Sequence, residues 1–120
     1  MNFTTSLKKN HEFKRLYNKG KSEASKYAVI YCRRNGTAYN RLGITVSTKL
    51  GNAVQRNRIR RRLKEIYRIN ENSFSVGFDI VLVARMRSRL AEYKELESSV
   101  LSLFRKLSLM PNVSPGGDAL

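Results

Sequence analysis

Apolar residues recur at helical spacing in three segments of the chain, which predicts three amphipathic helices. The first covers residues 7–19, and Gly20 follows where a helix can end. The second covers residues 52–69, with Asn52 as a candidate N-cap. The third covers residues 90–107, where the apolar side chains form one stripe that would face a core.

Three other segments have the patterns of β-strands. Residues 26–34 and 42–47 place alternate side chains on opposite faces, and residues 78–85 are apolar on both faces apart from Asp79. An Asn-Gly pair after the first strand is a turn signal, so the first two strands are predicted to pair as an antiparallel hairpin. The third is predicted to be an interior strand. The predicted order is α-β-β-α-β-α, an α+β fold built as a two-layer α/β sandwich.

The length of 120 residues fits one domain with a modest core that needs neither a disulfide nor a structural metal. We assign residues 1–110 to one domain and residues 111–120, which hold both prolines, to a flexible C-terminal tail. The single cysteine, Cys32, is expected to be a buried core thiol. Residues 1–16 lack the apolar centre of a secretory signal, and the aliphatic run at 80–84 is too short to cross a bilayer. We therefore expect a cytoplasmic protein.

The charge of the chain narrows the choice of partners. Twenty-four Lys and Arg stand against nine Asp and Glu, which gives a formal net charge of +15. Such a field attracts polyanions whatever the fold, so nucleic acid is the first candidate partner and a membrane surface the second. The charge is densest in the second predicted helix, where five of residues 56–62 are arginines.

A helical wheel of this second helix separates an apolar stripe, centred on Ile59 and Leu63, from a broad basic face. Arg56 and Arg62 flank the stripe, where long stems can lie along the edge of a core. Most clusters of like charge on a helix simply face solvent and bind nothing. Like charges at i, i+3 and i+4, however, destabilise a helix by about a few tenths of a kcal/mol per pair, so a purely structural helix would interleave Glu. Arginine also binds phosphate in a bidentate manner, and the pattern therefore favours polyanion binding.

The residues around this helix resemble a known family. Residues 41–65, which run from Arg-Leu-Gly-Ile through Gln-Arg-Asn-Arg to Leu-Lys-Glu, are similar to the signature of the bacterial ribonuclease P protein subunit. Residues 7–20 resemble the opening helix of that family, and residues 79–85 its last strand. The resemblance implies a fold like one domain of ribosomal protein S5. It also implies a left-handed βαβ crossover, which is an exception to the usual handedness.

The resemblance further implies two contacts with RNA, one of them with the catalytic RNA of ribonuclease P. The residues that it assigns to the catalytic RNA are Lys49, Arg56, Asn57, Arg58, Arg60, Arg61, Arg62, Lys64 and Arg68. The second contact is a cleft between the first helix and the sheet, which would hold the single-stranded 5′ leader of precursor tRNA. The residues that it assigns to the leader are Phe13, Tyr17, Val29, Tyr31, Arg56 and Asn57. Bases stack on aromatic rings for roughly 1–3 kcal/mol each, with little demand on sequence.

No group of side chains predicts a catalytic or metal site within the protein. A protein nuclease needs a carboxylate cluster for Mg²⁺ or a pair of histidines, and His11 is the only histidine. We expect His11 on the surface of the first helix and Asp79 in a structural role. The resemblance implies that Mg²⁺, held mainly by the RNA, carries out hydrolysis while the protein assists removal of the leader. It implies no organic cofactor and no obligate protein partner.

Two other classes of protein fit parts of this pattern. A ribosomal or RNA-chaperone protein would carry the same charge, but it would leave the cleavage of precursor tRNA unaffected. A basic-zipper DNA-binding helix needs apolar heptads after its arginines, and residues 66–72 provide no such run. The sequence predicts an RNA-binding subunit in preference to either.

Overall fold

A computed structural model describes residues 1–111, and within them five strands form one sheet that packs with three α-helices. The strands are β1 (Thr4–Ser6), β2 (Lys21–Ala24), β3 (Ala28–Arg34), β4 (Asn40–Thr45) and β5 (Phe78–Ala84). The helices are α1 (Asn10–Lys19), α2 (Ala53–Asn70) and α3 (Tyr93–Lys106). Short 3-10 helices occupy Thr48–Leu50, Glu71–Ser73 and Met86–Leu90. The predicted flexible tail lies outside the described residues, apart from Pro111.

The strand order is β1-β4-β5-β3-β2, and it shows that the predicted hairpin between β3 and β4 is wrong. Both strands pair instead with β5, which is parallel to β4 and antiparallel to β3. The reason is the composition of β5, whose residues Ile80, Val81 and Leu82 are all buried. A strand that is apolar on both faces is stabilised most at the centre of a sheet. The Asn-Gly pair belongs to a longer connection, in which the Asn35 side chain bonds the carbonyl oxygen of Tyr39 at 3.0 Å.

Two short strands, β1 and β2, were not predicted from the sequence. Both are polar and lie at the edges of the sheet, where β1 pairs with β4 and β2 with β3. Their sequences, Thr-Thr-Ser and Lys-Ser-Glu-Ala, have no apolar alternation that could signal a strand. The larger elements keep the predicted order α-β-β-α-β-α.

The sheet carries helices on both faces. Consecutive residues of β5 alternate between them, so Ile80 and Leu82 face α2 and α3 while Val81 faces α1. Residues of the larger core, between the sheet and α2 and α3, include Ala28, Ile30, Cys32, Ile59, Leu63, Ile66, Tyr67, Leu96, Val100, Leu103 and Phe104. A smaller core under α1 holds Leu7 and Leu16. Cys32 is a buried thiol as predicted, and burial raises the pKa of that thiol.

The helix α2 connects β4 to β5, two adjacent parallel strands, and therefore forms a βαβ crossover. It packs against β4 and α3 through its apolar stripe. This connection places the most basic segment of the chain along one side of the sheet. The left-handed sense of the crossover stays a prediction from the resemblance.

Candidate RNA interface

A capping box fixes the start of α2, and it confirms Asn52 as the N-cap. The Asn52 side-chain oxygen accepts a hydrogen bond from the Gln55 backbone N–H at 2.9 Å, and the Gln55 side-chain oxygen accepts one from the Asn52 N–H at 2.9 Å. Gly51 has φ +134°, and a Cβ there would lie 2.1 Å from the Gln55 Oε1 atom. Glycine is favoured at this position because L side chains rarely adopt this φ, and a side chain there would also displace the capping amide.

The faces of α2 lie as the wheel predicts. Four residues of the apolar stripe are buried, namely Ile59, Leu63, Ile66 and Tyr67. Arg56 and Arg62 are half-buried beside the stripe, and the Arg62 guanidinium donates a hydrogen bond to the Ala91 carbonyl oxygen at 3.1 Å. We call the exposed opposite side the basic face; it consists of Asn57, Arg58, Arg61, Lys64 and Arg68. Lys49, in the 3-10 helix before α2, is also exposed.

Arg68 differs from the other cations of the basic face, because Glu65 pairs with it. The Arg68 Nε atom donates to Glu65 Oε2 at 2.9 Å, and the hydrogen bonds from Arg68 lower the pKa of Glu65. The pair is exposed to solvent, where ion pairs contribute little to stability, so Arg68 can exchange Glu65 for a phosphate at little cost. Arg58, Arg61 and Lys64 have no acidic partner among residues 1–111 and present their full charge to solvent.

On the other face of the sheet, α1 leaves part of the surface open. The strand register forms one row of Gly43, Val81 and Tyr31, and α1 covers it so that Val81 is fully buried. The next row consists of Thr45, Val83 and Val29, and all three are only half-buried. This second row lies at the margin of α1, where the sheet is accessible.

The side chains of α1 point toward this open row. The Tyr17 hydroxyl lies 3.0 Å from the Thr45 hydroxyl, and its ring is 5.0 Å from the Tyr31 ring in an edge-to-face arrangement. Tyr17 remains 40% exposed. Phe13 lies deeper, with its ring centroid 6.5 Å from that of Tyr17. We call this surface the aromatic cleft; it consists of Phe13, Tyr17, Val29, Tyr31, Thr45 and Val83.

Phe13 packs tightly on the sheet because position 43 carries no side chain. A Cβ on Gly43 would lie 2.5 Å from the Phe13 Cζ atom, which is too close for any stable contact. The Phe13 ring thus fills the place of the missing side chain and joins the small core under α1. Of the two rings on α1, Phe13 shapes the floor of the cleft and Tyr17 presents a more accessible surface.

A cavity of about 430 Å³ connects the aromatic cleft to α2. Its lining includes Phe13 and Tyr17 on α1, Thr45 on β4, and Arg60 on α2. The resemblance assigned Arg60 to the catalytic RNA alone and did not reveal its position beside the cleft. Lys14, also in the lining, was missed, although its spacing of three residues from Tyr17 is a signal that could have found it.

Arg56 and Asn57, the two residues of α2 that were predicted to contact the leader, lie one helical turn before Arg60. Their spacing of four and three residues places them on the same side of the helix as Arg60. The Asn57 side-chain oxygen accepts a hydrogen bond from the Arg60 guanidinium at 3.2 Å. Neither residue lines the cavity itself, so their contact with the leader stays a prediction from the resemblance.

Acidic residues hold α1 in place over the sheet. Arg41 donates to both oxygens of Asp79, at 2.8 and 2.6 Å, and a third hydrogen bond joins it to Glu12 on α1. The hydrogen bond to Asp79 is the main reason that the pKa of Arg41 is raised above its ordinary value. Asp79 is structural, as predicted, and Glu12 anchors the helix that carries Phe13 and Tyr17.

The titratable residues that could support protein catalysis are dispersed. Within residues 1–111, no group of three or more His, Cys, Asp and Glu side chains is arranged to hold a metal ion. His11 is exposed on α1, as predicted. In the same part of the chain no helix is both long and apolar enough to span a membrane.

Comparisons with known sequences give a consistent result. A family model described as Ribonuclease P matches residues 1–108. The chain is 46% identical over 110 residues to the ribonuclease P protein component of Alkaliphilus metalliredigens. The aligned segment covers 92% of this chain and 99% of that protein. It is 43% identical over 109 residues to the ribonuclease P protein component of Clostridioides difficile, with coverage of 90% and 96%.

Solved structures agree with these relatives. The RNase P protein of Staphylococcus aureus superimposes with a TM-score of 0.81 at 32% identity, over 90% of this chain and 97% of that chain. The RNase P protein of Thermotoga maritima gives a TM-score of 0.77 at 33% identity, over 83% of this chain and 96% of that chain. Sequence and fold thus match over nearly the full length of these proteins. The chain belongs to the family of bacterial ribonuclease P protein components.

Proposed function

We propose that this protein is the protein subunit of a bacterial ribonuclease P that acts in the cytoplasm. It binds the catalytic RNA and the 5′ leader of precursor tRNA, and it assists endonucleolytic removal of the leader to give the mature 5′ end. The main support is the presence of two different surfaces, the basic face and the aromatic cleft, with Arg60 of α2 lining the cavity beside the cleft. One surface suits a structured RNA and the other an unpaired strand.

The basic face binds the catalytic RNA in this proposal. Arg58, Arg61 and Lys64 project from a helix whose opposite side is buried, so the backbone that carries them is fixed before RNA arrives. The guanidinium groups of the two arginines can form bidentate contacts with phosphates. If the basic face contacts about six phosphates, the affinity for the catalytic RNA falls by about a thousandfold or more between low and moderately high salt.

The aromatic cleft holds the leader. Tyr17 and Tyr31 offer ring surface for base stacking, while the half-buried Val29 and Val83 give an apolar floor. Arg60 and Lys14 line the adjoining cavity, where they can neutralise the phosphates of a strand in the cleft. Stacking combined with a cationic wall is the common design of sites that bind single strands without strong sequence preference.

Hydrolysis belongs to Mg²⁺ ions that the RNA holds. Several carboxylates of the protein are already engaged: Glu12 and Asp79 with Arg41, and Glu65 with Arg68. The protein contributes by adding positive charge between two polyanions, which lowers their mutual repulsion and the Mg²⁺ concentration that assembly requires. It needs no organic cofactor and no obligate protein partner for this role.

The test is cleavage of a 5′-extended tRNA precursor at low Mg²⁺ by the cognate catalytic RNA, the protein, or both. We expect the protein alone to be inactive and the combination to exceed the RNA alone in rate and in precursor affinity. An unchanged rate and affinity on addition of the protein would refute the assignment and favour an RNA chaperone. Cleavage by the protein alone would contradict the assignment of hydrolysis to the RNA and its Mg²⁺ ions.

A further inference from the structure

A separate cavity of about 360 Å³ lies at the far edge of the sheet, where β2 and β3 meet the end of α3. We call it the edge pocket. Its floor is apolar and is formed by Cys32, Phe78 and Leu107. Its rim is basic and is formed by Lys19, Lys21, Arg33 and Arg34. A concave apolar floor within a ring of cations differs from the convex basic face of α2.

The charges of the rim are not compensated within the protein. Among residues 1–111, none of the rim cations takes part in an ion pair. Asp79 lies opposite Arg33 in the strand register, but both of its oxygens bond to Arg41. The Arg34 guanidinium lies 5.1 Å from the centroid of the Phe78 ring, so one cation stands directly over the floor. The cations of the rim repel one another, and an anionic ligand therefore stabilises the pocket.

The end of α3 influences this pocket in two opposing ways. Its C-terminal dipole carries partial negative charge and disfavours an anion. Arg105 and Lys106 lie in the last turn of α3 and offset that partial charge. The net charge around the pocket therefore remains strongly positive.

The floor of the edge pocket lies apart from the two RNA surfaces of the proposed function, although its rim residues Lys19 and Arg33 are each two positions along the chain from Tyr17 and Tyr31. The α2 helix packs on β4, and the strand order places β2 three strand positions away, a distance of roughly 14 Å. Cys32 and Phe78 face the larger core, whereas Val29 and Tyr31 of the aromatic cleft face α1. A leader strand in the cleft lies on the opposite face of the sheet from the pocket floor, so the floor is suited to a different segment of RNA.

We propose that the edge pocket is a second contact with the catalytic RNA and that it accommodates one unpaired nucleotide. The base lies on the apolar floor, and the phosphates on either side of it contact the basic rim. A duplex presents its phosphates on a convex surface and cannot fill a pocket of this shape. A bulged nucleotide can enter it and stack on Phe78 when the Arg34 guanidinium moves from that ring to a flanking phosphate. This inference rests on the proposed function, because it takes the catalytic RNA as the partner.

The first test is binding of the full-length protein to the cognate catalytic RNA, without precursor, over a series of salt concentrations. Lys21→Glu and Arg34→Glu are compared with Lys94→Glu, which makes the same charge change on an exposed residue of α3 outside the three surfaces. We expect Lys21→Glu and Arg34→Glu each to weaken binding roughly tenfold and to lower the salt exponent by about one. Losses no greater than that of Lys94→Glu would overturn the proposal.

The second test separates a bound base from a bound phosphate. Phe78→Leu keeps the floor apolar but removes the ring, so we expect weaker binding of the catalytic RNA with an unchanged salt exponent. A melting curve confirms that the variant is folded. Binding as tight as that of the unaltered protein would show that no base stacks in the pocket, and would overturn this part of the proposal.

The outcomes also distinguish this proposal from the proposed function. If the unaltered protein binds the catalytic RNA through Arg58 and Arg61 but Lys21→Glu and Arg34→Glu match Lys94→Glu, only the edge pocket is refuted. If the unaltered protein does not bind the catalytic RNA, the proposed function fails as well. A loss that appears only when precursor is added would assign the pocket to the substrate and would overturn the inference.

Discussion

The basic face and the aromatic cleft are built in opposite ways. The basic face comes from one continuous helix, in which the spacing of residues alone decides which side is exposed. The aromatic cleft combines residues of α1, β3, β4 and β5, and its shape depends on the strand register and on where α1 lies. A substitution in the basic face should therefore remove one contact, whereas a substitution under the cleft can displace several.

The largest expected effect comes from the basic face. Arg58→Ala combined with Arg61→Ala removes two unpaired cations, and each charged hydrogen bond contributes about 1.5–3 kcal/mol. We expect affinity for the catalytic RNA to fall by about a hundredfold at low salt, as measured by equilibrium binding. Arg68→Ala is the matched control, and its effect should be smaller because Glu65 already neutralises part of its charge.

The aromatic cleft should respond in a different assay. Tyr17→Ala combined with Tyr31→Ala removes ring surface worth roughly 1–3 kcal/mol per stacked base. With the assembled ribonucleoprotein, we expect roughly tenfold or greater weakening for leader-bearing precursor and little change for mature tRNA. Tyr17→Phe keeps the ring and should retain most of the affinity. Equal losses in both assays from the Arg and the Tyr variants would contradict the division between the two surfaces.

Gly43→Ala should show that the cleft depends on packing beneath it. The new Cβ would lie 2.5 Å from Phe13 Cζ, so the ring and α1 must move. Overpacking of this kind costs about 1–3 kcal/mol, and we expect a lower melting temperature together with severalfold weaker leader binding. Val100→Ala in the larger core is the control for stability alone. If both variants affect leader binding to the same extent, the effect is one of stability and the role of Gly43 in the cleft is rejected.

The smallest functional effect is expected at the N-terminal edge of the sheet. Burial tends to raise the pKa of Glu71, but hydrogen bonds from the Thr4 hydroxyl and from the backbone N–H groups of Asn2 and Phe3 outweigh it and lower that pKa. The resulting stability is present above the unfolded-state pKa of about 4.3 and is lost as pH falls through the lower folded-state pKa.

Glu71→Gln tests the direction of this pH dependence of stability directly. Chemical denaturation should show a less stable variant near neutral pH and a smaller difference from the unaltered protein in acid. Binding of the catalytic RNA and of the leader should remain nearly unchanged at neutral pH, because Glu71 belongs to neither surface. A stability difference that grows as pH falls would contradict the assignment of the hydrogen bonds.

Sequence patterns predicted the local features of the site well. The apolar stripe of α2, its N-cap at Asn52 and the flanking positions of Arg56 and Arg62 are all confirmed. Each of these depends on residues within about one or two helical turns of one another, where a periodicity of 3.6 residues fixes the geometry. The α3 stripe is confirmed for the same reason, although the helix begins at Tyr93 instead of residue 90.

The sequence patterns failed where distant segments meet. The predicted hairpin between β3 and β4 was wrong because a turn signal describes the turn alone. The strand β5, which is apolar on both faces, pairs with each of them instead. The edge strands β1 and β2 carry no apolar pattern, and their pairing with β4 and β3 makes them strands. The position of Arg60 beside the cleft follows from how α2 packs on β4, which no local pattern describes.

The sequence by itself determined the basic helix, its docking stripe and its charge, together with the family that the chain resembles. Only the tertiary structure decided the central place of β5, the open row beside α1 and the basic rim of the edge pocket. The physical reason is the range of the interactions. Helical periodicity acts over a few residues and can be read directly, whereas a cleft or pocket depends on strand order and register, which are fixed by the burial of the whole core.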